Sequence, residues 1–253
     1  MKIATWNVNS LRVRLPQVLD WLDEHQPDIL ALQEIKLDDP SFPIQPFLDR
    51  HYHVSYSGQK TYNGVALISC KPQLDIKREP IVDPQRRFLA ATISGVRIIN
   101  LYVPNGQSVG SDKYAYKLDW LKQIGDIIKN ELQKYNQLIV LGDFNIAPDD
   151  RDVHDPAAWA GSVLVSEPER AALRHWFDLC LVDVFRRFDQ PEGIFSWWDY
   201  RMAAFVRNRG LRIDLILASA SLAPHCQRCW VDITPRKSER PSDHAPVLAS
   251  FRI

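Results

Sequence analysis

The chain has little cysteine and no long apolar run. Its four cysteines, in 253 residues, are too few for a disulfide framework in a chain of this length. No run approaches the roughly 18 apolar residues of a membrane-spanning helix, and residues 1–7 lack the apolar core of a secretory signal. We therefore expect a cytoplasmic protein that makes no membrane contact.

The chain also lacks an excess of charge of either sign. It has 31 basic and 31 acidic residues, a formal net charge of zero. A protein that coats nucleic acid would need a large positive excess, because its affinity comes from releasing counterions from phosphates. A local basic surface is still possible, since residues 201–212 contain four arginines and no acid. On composition alone that segment fits a solvated charged loop equally well.

One pair of cysteines, Cys226 and Cys229, forms a C-x-x-C beside His225. A structural zinc site needs four ligands, and no second pair lies at a suitable spacing. We interpret these cysteines as small apolar residues, with a metal or redox role as the alternative.

The distribution of apolar residues predicts one α/β domain over residues 1–253, without repeats, linkers or low-complexity tracts. Runs rich in β-branched and aliphatic residues, bounded by Gly, Pro, Asn and Asp, predict strands at 2–6, 29–32, 54–56, 65–68, 88–93, 96–103, 138–141, 213–218 and 247–251. Helical periodicity predicts helices at 11–25, about 111–134 and 168–181. Many strands with few helices favour stacked sheets flanked by helices.

Polar residues follow or interrupt several predicted strands, where a rigid strand can hold a side chain in an accessible loop. These sites are Trp6-Asn7-Val8-Asn9, Gln33-Glu34, Gly142-Asp143-Phe144-Asn145, Asp214 and Ser242-Asp243-His244-Ala245-Pro246. A single such Asp is usually a turn residue, but Asp214 lies between aliphatic residues and needs a partner there. Together the sites supply oxygen ligands for a hard cation and an acid–histidine pair. Mg²⁺ is the expected ion, with Mn²⁺ as its substitute.

In this order, these motifs resemble exonuclease III and the wider endonuclease/exonuclease/phosphatase superfamily. The resemblance runs from residue 1 to 253, and the segments 196–200 (Ser-Trp-Trp-Asp-Tyr) and 208–214 favour the exonuclease III branch. It implies a four-layer αββα sandwich of two packed mixed sheets flanked by helices. The site should lie at one edge of the paired sheets.

The resemblance also implies roles for individual residues. Metal ligation falls to Glu34, helped by Asn7 and Asp243, with Asp143, Asn145 and His244 close to the metal; whether one or two ions act stays open. The catalytic set implied is Tyr102, Asp143, Asn145, Asp214 and His244. In it Asp143 acts on the attacking water, Tyr102 contacts the phosphate or the leaving group, and His244, oriented by Asp214, donates to a phosphate oxygen.

The DNA contacts implied fall into two groups. Phosphate contacts are expected from Lys36, Lys60, Asn105 and the arginines of 201–212, including Arg201 and Arg209. A pocket or stacking platform is expected from Trp197, Trp198, Leu211 and Ile213. Such a platform would select an extruded abasic sugar, which costs little to unstack.

The activity implied is a Mg²⁺-dependent DNA repair phosphodiesterase that cleaves at abasic sites and trims 3′ ends. Its partner would be duplex DNA with abasic sites or 3′ ends, and we expect a monomer without an obligatory protein partner. Two departures from the family pattern are Ser10, where glycine is common, and residues 149–167, which do not match cleanly. Because that second segment borders the DNA in the family, an end-cleaning 3′ exonuclease with little internal cleavage remains the alternative.

Two other hypotheses come from different classes of protein. Residues 106–110 fit the G-x-S-x-G pattern of a serine hydrolase, with Ser108 as nucleophile and Asp214 and His244 following in order. The strand expected to precede it, however, ends near Val103. A regulator that binds nucleic acid without catalysis should have lost some of the acidic and histidine residues named above, and all are present.

Overall fold

A computed structural model describes residues 1–78, 81 and 83–253. Its strands are β1 Lys2–Asn7, β2 Ile29–Gln33, β3 His53–Ser57, β4 Val65–Ser69, β5 Gln73–Arg78, β6 Phe88–Ile93, β7 Val96–Tyr102, β8 Leu138–Asp143, β9 Leu181–Asp183, β10 Asp214–Ser219, β11 Cys226–Val231 and β12 Val247–Phe251. Its α-helices are α1 Leu11–His25, α2 Gln45–Leu48, α3 Asp112–Lys134, α4 Pro156–Trp159 and α5 Glu167–Asp178. No helix in these ranges is long and apolar enough to cross a membrane.

The strands form two six-stranded mixed sheets. The first has the order β11-β12-β1-β2-β4-β3 and the second β5-β6-β7-β8-β10-β9. A shared apolar core lies between them, formed by residues such as Ile3 and Leu67 from one sheet and Leu89 and Ile139 from the other. Helix α1 covers the outer face of the first sheet, and α3 and α5 cover the second. The predicted four-layer αββα sandwich is therefore confirmed.

The two parallel strand pairs place the polar strand ends together. In the first sheet β1 pairs with β2, with Asn7 opposite Gln33; in the second β7 pairs with β8, with Tyr102 opposite Asp143. Both pairs are buried on both faces, as expected for parallel strands. Strand β10 runs antiparallel to β8 and sets Asp214 opposite Asp143. The strand ends from both sheets thus meet at one edge of the sandwich.

All nine predicted strands are present, but three further strands were missed. Strand β5 is an exposed edge strand of sequence Gln-Leu-Asp-Ile-Lys-Arg, with no clear alternation. Strand β9 has three residues and starts at Leu181, so the predicted helix 168–181 is instead Glu167–Asp178. Strand β11 contains the C-x-x-C, and both of its cysteines are free and packed in the core between the sheets. They pack there as small apolar side chains.

The connection from β1 to α1 contains a strained residue. Ser10 has φ 93° and ψ 104°, a region that is costly for any residue with a Cβ. Its N–H donates to the Glu34 carbonyl at 2.7 Å, and the Leu11 N–H donates to the Ile35 carbonyl at 3.0 Å. These bonds tie the loop after β1 to the loop after β2 and hold Ser10 in this conformation.

We expect Ser10→Gly to stabilise the protein. Relieving strain of about 1–3 kcal/mol, less the entropy that glycine gains in the unfolded chain, should raise Tm by roughly 2–4 °C. Thermal denaturation followed by circular dichroism measures this. Ser10→Ala keeps the Cβ and is the control; equal Tm values for the two variants would show that Ser10 is not strained.

Candidate active site

A single amide connects the acidic residues of the two sheets. Asn7, the last residue of β1, donates from Nδ2 to Glu34 Oε1 and to Asp143 Oδ2, both at 2.9 Å. Its Oδ1 accepts the Asn9 N–H at 2.9 Å. Asn7 thus spaces the two carboxylates as a donor. Its Oδ1 keeps a second lone pair, and its role as a metal ligand stays a prediction.

Asp143, at the end of β8, is buried and accepts further bonds from Asn145. The Asn145 N–H reaches Oδ1 at 2.9 Å and its Nδ2 reaches Oδ2 at 3.2 Å. Burial raises the pKa of Asp143, although the nearby positive charge of His244 works in the other direction. A carboxylate with a raised pKa is better suited to accept a proton near neutral pH.

His244 lies between two carboxylates. Its Nδ1 is 2.8 Å from Asp214 Oδ2, and its Nε2 is 3.8 Å from Asp143 Oδ2. Burial by itself would lower the pKa of His244, but the charges of Asp214 and Asp143 outweigh it and raise that pKa. The predicted Asp214–His244 pair is therefore present in the geometry, and it favours an imidazolium whose Nε2 faces Asp143.

Tyr102 ends β7 close to these carboxylates. Burial, followed by the charge of Glu34, raises its pKa well above the usual value and keeps the phenol protonated. The Arg87 guanidinium lies over its ring, 4.4 Å from the centroid, and Arg87 Nη1 donates to the Tyr102 carbonyl at 3.2 Å. Nothing in the sequence singled out Arg87, because it precedes an ordinary strand.

Among the residues that the structure describes, one group of side chains fits a metal ion. Single ligand atoms of Glu34, Asp143 and His244 lie within 4.8 Å of one another. Carboxylate oxygens are preferred by hard cations, so Glu34 and Asp143 are the natural ligands of this set. His244 could bind a metal only as a neutral imidazole. This acidic cluster suits a divalent cation.

Asp243 and Asn145, two further predicted metal ligands, use their oxygens differently. Asp243 accepts from Asn9 Nδ2 and from the Trp197 indole N–H, each at 3.0 Å. Asn145 Oδ1 accepts from Asn105 Nδ2 at 3.2 Å. Both side chains therefore orient their neighbours, and since each oxygen keeps a second lone pair, their metal ligation stays a prediction.

The side chains predicted to contact phosphates differ in whether they are already paired with an acid. Lys36 pairs with Glu34 at 2.9 Å, and Arg201 pairs with Asp199 at 2.8 Å. Lys60, in the loop between β3 and β4, and Arg209 are exposed, as is Asn105. The exposed cations are free to meet a phosphate, whereas Lys36 must first loosen its contact with Glu34.

The two neighbouring tryptophans differ in burial, which the sequence did not distinguish. Trp197 is partly exposed and packs on a cluster that includes the buried Leu211 and Ile213. Trp198 is only 2% exposed, packs edge-on against Phe205 at 5.1 Å, and donates to Asn208 Oδ1 at 3.1 Å. Trp198, Leu211 and Ile213 are buried here and Trp197 is the member of the predicted platform with exposed surface. The predicted place of these residues in a pocket stays a prediction.

The poorly matching segment 149–167 contributes apolar surface next to Trp197. It contains a short 3₁₀ helix, Asp150–Asp152, and helix α4. Trp159 and Val163 are partly buried and pack against the same cluster as Trp197. Their contribution was not predicted, because an aromatic residue in a loop has no periodicity to show where it faces.

Ser108 does not lie at a nucleophile elbow. Strand β7 ends at Tyr102, and Ser108 is an exposed residue in the loop that leads to α3. His244 Nδ1 is bonded to Asp214, and its Nε2 faces Asp143. The serine hydrolase hypothesis therefore has no support in the geometry.

Replacing Trp198 should destabilise the fold. We expect Trp198→Ala to lower the free energy of unfolding by about 3–5 kcal/mol, the range for a buried aromatic residue. Denaturant unfolding measures this. Trp197→Ala, at a partly exposed position, should cost clearly less, and equal losses would contradict the difference in burial.

Three comparisons with known proteins agree with this geometry. The model of the family described as "Endonuclease/Exonuclease/phosphatase family" matches residues 4–244. Over 267 residues the chain is 35% identical to exodeoxyribonuclease III of Haemophilus influenzae, with 100% of both chains covered. Among solved structures, it is similar to a 3′ phosphatase from Neisseria bound to a product DNA hairpin (46% identity, TM-score 0.98). It is also similar to an AP endonuclease from Archaeoglobus fulgidus (39% identity, TM-score 0.95), and both matches cover 100% of each chain.

The family model spans most of the chain, and one relative is more than 30% identical over its full length. Both support the same conclusion as the geometry of the site. The chain belongs to the endonuclease/exonuclease/phosphatase family and is a hydrolytic nuclease of the exonuclease III type.

Proposed function

We propose that the chain is a Mg²⁺-dependent DNA repair phosphodiesterase that cleaves the backbone at abasic sites and trims 3′ ends. The observation that carries the proposal is the convergence of Glu34, Asp143 and His244 within 4.8 Å, with Asp214 bonded to the imidazole. A carboxylate beside a protonated histidine can act on the water and on the phosphate of a phosphodiester at the same time. We propose that it works as a single domain and as a cytoplasmic monomer without an obligatory protein partner.

The protein side chains divide the hydrolysis between them. Asp143, held by Asn7 and Asn145, orients the attacking water and takes its proton as the new oxygen–phosphorus bond forms. The His244 imidazolium, oriented by Asp214, donates from Nε2 to a non-bridging phosphate oxygen. As the bond from phosphorus to the leaving oxygen breaks, the protonated Tyr102 donates a hydrogen bond to that oxygen, which then takes a proton from solvent. Fixed donors aimed at developing charge are a large source of rate enhancement.

Glu34 would hold the metal ion, with Asp143 beside it. A bound Mg²⁺ supplies charge neutralisation on the phosphate and the leaving oxygen. Mn²⁺ has similar preferences for oxygen ligands and should replace it.

Substrate contact would come from exposed cations and one apolar surface. Lys60, Arg209 and Asn105 can meet backbone phosphates, and Lys36 can join them if it releases Glu34. Trp197, with Trp159 and Val163, offers an apolar surface on which an extruded sugar or a terminal base could pack. Such packing contributes roughly 1–3 kcal/mol per base. The similar structures include both a 3′ phosphatase and an AP endonuclease, so a mainly 3′-end-directed enzyme is the second candidate.

We expect Asp143→Asn and His244→Ala each to lower kcat by at least about 100-fold, the scale for a positioned base or a transition-state donor. Steady-state kinetics on a DNA duplex measures this, with circular dichroism to show that the variants fold. Ser108→Ala is the control and should keep parental turnover. If Ser108→Ala were inactive while Asp143→Asn stayed active, the serine hydrolase hypothesis would replace this one.

Removal of metal should abolish the activity, and the choice of substrate identifies the function. We expect no cleavage in EDTA and recovery with Mg²⁺ or Mn²⁺. One gel can compare an internal abasic duplex, a 3′-phosphate at a nick and an undamaged recessed 3′ end. Cleavage of the first substrate supports abasic endonuclease activity, and action on the other two alone supports the end-cleaning alternative. Full cleavage by metal-free protein in EDTA would refute the metal-dependent mechanism.

A further inference from the structure

A fully buried ion pair lies behind the active site. Lys117 on α3 and Glu169 on α5 pair through Nζ and Oε1, and both side chains are 0% exposed. Burying two charges costs solvation energy, which their attraction repays only when the remaining donors and acceptors are also bonded. The partners that meet this condition are the loops that carry the site.

The Lys117 ammonium uses all three of its protons. Besides Glu169 it donates to the carbonyl of Asn145 at 2.7 Å and to that of Asn105 at 3.1 Å. These residues belong to the loops after β8 and β7, and their side chains also bond each other at 3.2 Å. Asn145 in turn holds the Asp143 carboxylate. One ammonium group therefore fixes the backbone from which Asp143 is oriented.

Glu169 binds a third loop, the segment that precedes α5. Its Oε1 accepts the Leu164 N–H at 3.0 Å, and its Oε2 accepts both the Ser166 N–H, at 3.2 Å, and the Ser166 hydroxyl. The Leu164 carbonyl accepts the Ala147 N–H at 2.8 Å, which joins this segment to the loop after β8. The segment also carries Val163, part of the apolar surface beside Trp197.

Gly106 shows how closely the three loops pack. Its φ is 92°, and a Cβ at this position would lie 3.1 Å from Lys117 Cδ and 3.2 Å from Val163 Cγ2. The loop after β7, the stem of Lys117 and the segment before α5 therefore touch here with no space for a side chain. Displacing one of them should displace the others.

We propose that Lys117 and Glu169 are positioning residues that couple the catalytic carboxylate to the substrate-selecting surface. The pair sets the Asn145–Asp143 geometry from one side and the position of residues 159–166 from the other. It therefore governs both turnover and the choice between internal abasic sites and 3′ ends. This inference rests on the proposed function.

A second buried pair in the same chain provides a matched control. Arg97 on β7 and Glu131 on α3 pair at 2.6 Å, with side-chain exposures of 0% and 3%. Arg97 also donates to the Asp75 carbonyl, and Glu131 also pairs with Lys77, both in β5. This pair joins the same helix to the opposite end of β7, away from the loops of the site.

The test replaces both charges of each pair by apolar side chains, because removing only one partner leaves an unpaired buried charge. The variants are Lys117→Met with Glu169→Leu and, as the control, Arg97→Met with Glu131→Leu. Tm, kcat, KM for DNA, and the ratio of abasic to 3′-end cleavage are measured for each.

We expect kcat of the Lys117/Glu169 variant to fall about 10- to 100-fold, because misplacing a catalytic group has an effect of this size. Its KM should change little and its cleavage ratio should shift, while the control keeps the parental kcat and ratio.

Parental kcat and ratio in the Lys117/Glu169 variant, or equal losses in the control, would overturn the inference. If the double variant does not fold, Glu169→Gln takes its place with the same expectations, because its single amide oxygen cannot accept from both the Lys117 and Leu164 donors and the Ser166 donors. Glu131→Gln is then the control, so that each pair loses the same charge. Amide hydrogen exchange is a measurement that does not depend on activity. Exchange of the Asn145 and Leu164 N–H groups should be faster in the Lys117/Glu169 variant and unchanged in the control. A parent protein that cleaves no DNA would refute the proposed function instead, and the exchange rates alone would then decide the coupling of the loops.

Discussion

Mutual compensation of charge among Asp143, Asp214 and His244 is the interaction on which the site depends. All three side chains are buried, and an isolated carboxylate at such a position would be protonated or would destabilise the fold. The imidazolium lies 2.8 Å from one carboxylate and 3.8 Å from the other. Two carboxylates on one imidazolium leave a residual negative charge, to which Glu34 adds. The electrostatics that keep His244 protonated therefore also create a place for a divalent cation, and acid, base and metal functions come from one cluster.

The sandwich can hold that cluster because each sheet contributes one parallel pair of strands whose carboxyl ends reach the same edge. The loops that leave these strands are irregular. Asn9, Ser10, Glu34, Lys36 and Asn145 all have positive φ, which is unfavourable for residues with a side chain and is commonly found at functional sites. Such backbone persists only when its surroundings hold it in place. Here the loops after β1 and β2 bond each other, and those after β7 and β8 share a buried ammonium.

How well the sequence predicted the structure depends on the kind of residue. Strands of alternating or continuous apolar residues were found at nearly their observed bounds, whereas the exposed edge strand β5 and the three-residue β9 were not. The chemically capable residues Glu34, Asp143, Asp214 and His244 were all identified and do converge. Trp197 and Trp198 have identical chemistry, yet the first is partly exposed and the second lies in a core with Phe205. Adjacent residues in extended backbone point to opposite sides, and no local sequence pattern shows which of the two side chains faces solvent.

Local patterns were enough to predict stacked sheets flanked by helices and to identify the acid, amide and histidine groups, whereas the four-layer order came from the family resemblance. Strand and helix periods are local properties, and a carboxylate within an aliphatic run needs a partner in any fold. Which atoms of those groups face one another became visible once the sheets and loops were packed together. The tertiary structure turned the Asn7 amide nitrogen toward two carboxylates, directed Asp243 to Trp197, and joined Lys117 to Glu169 across three loops. Hydrogen-bond partners between residues far apart in the chain depend on how whole elements pack, and that packing is not encoded in any one segment.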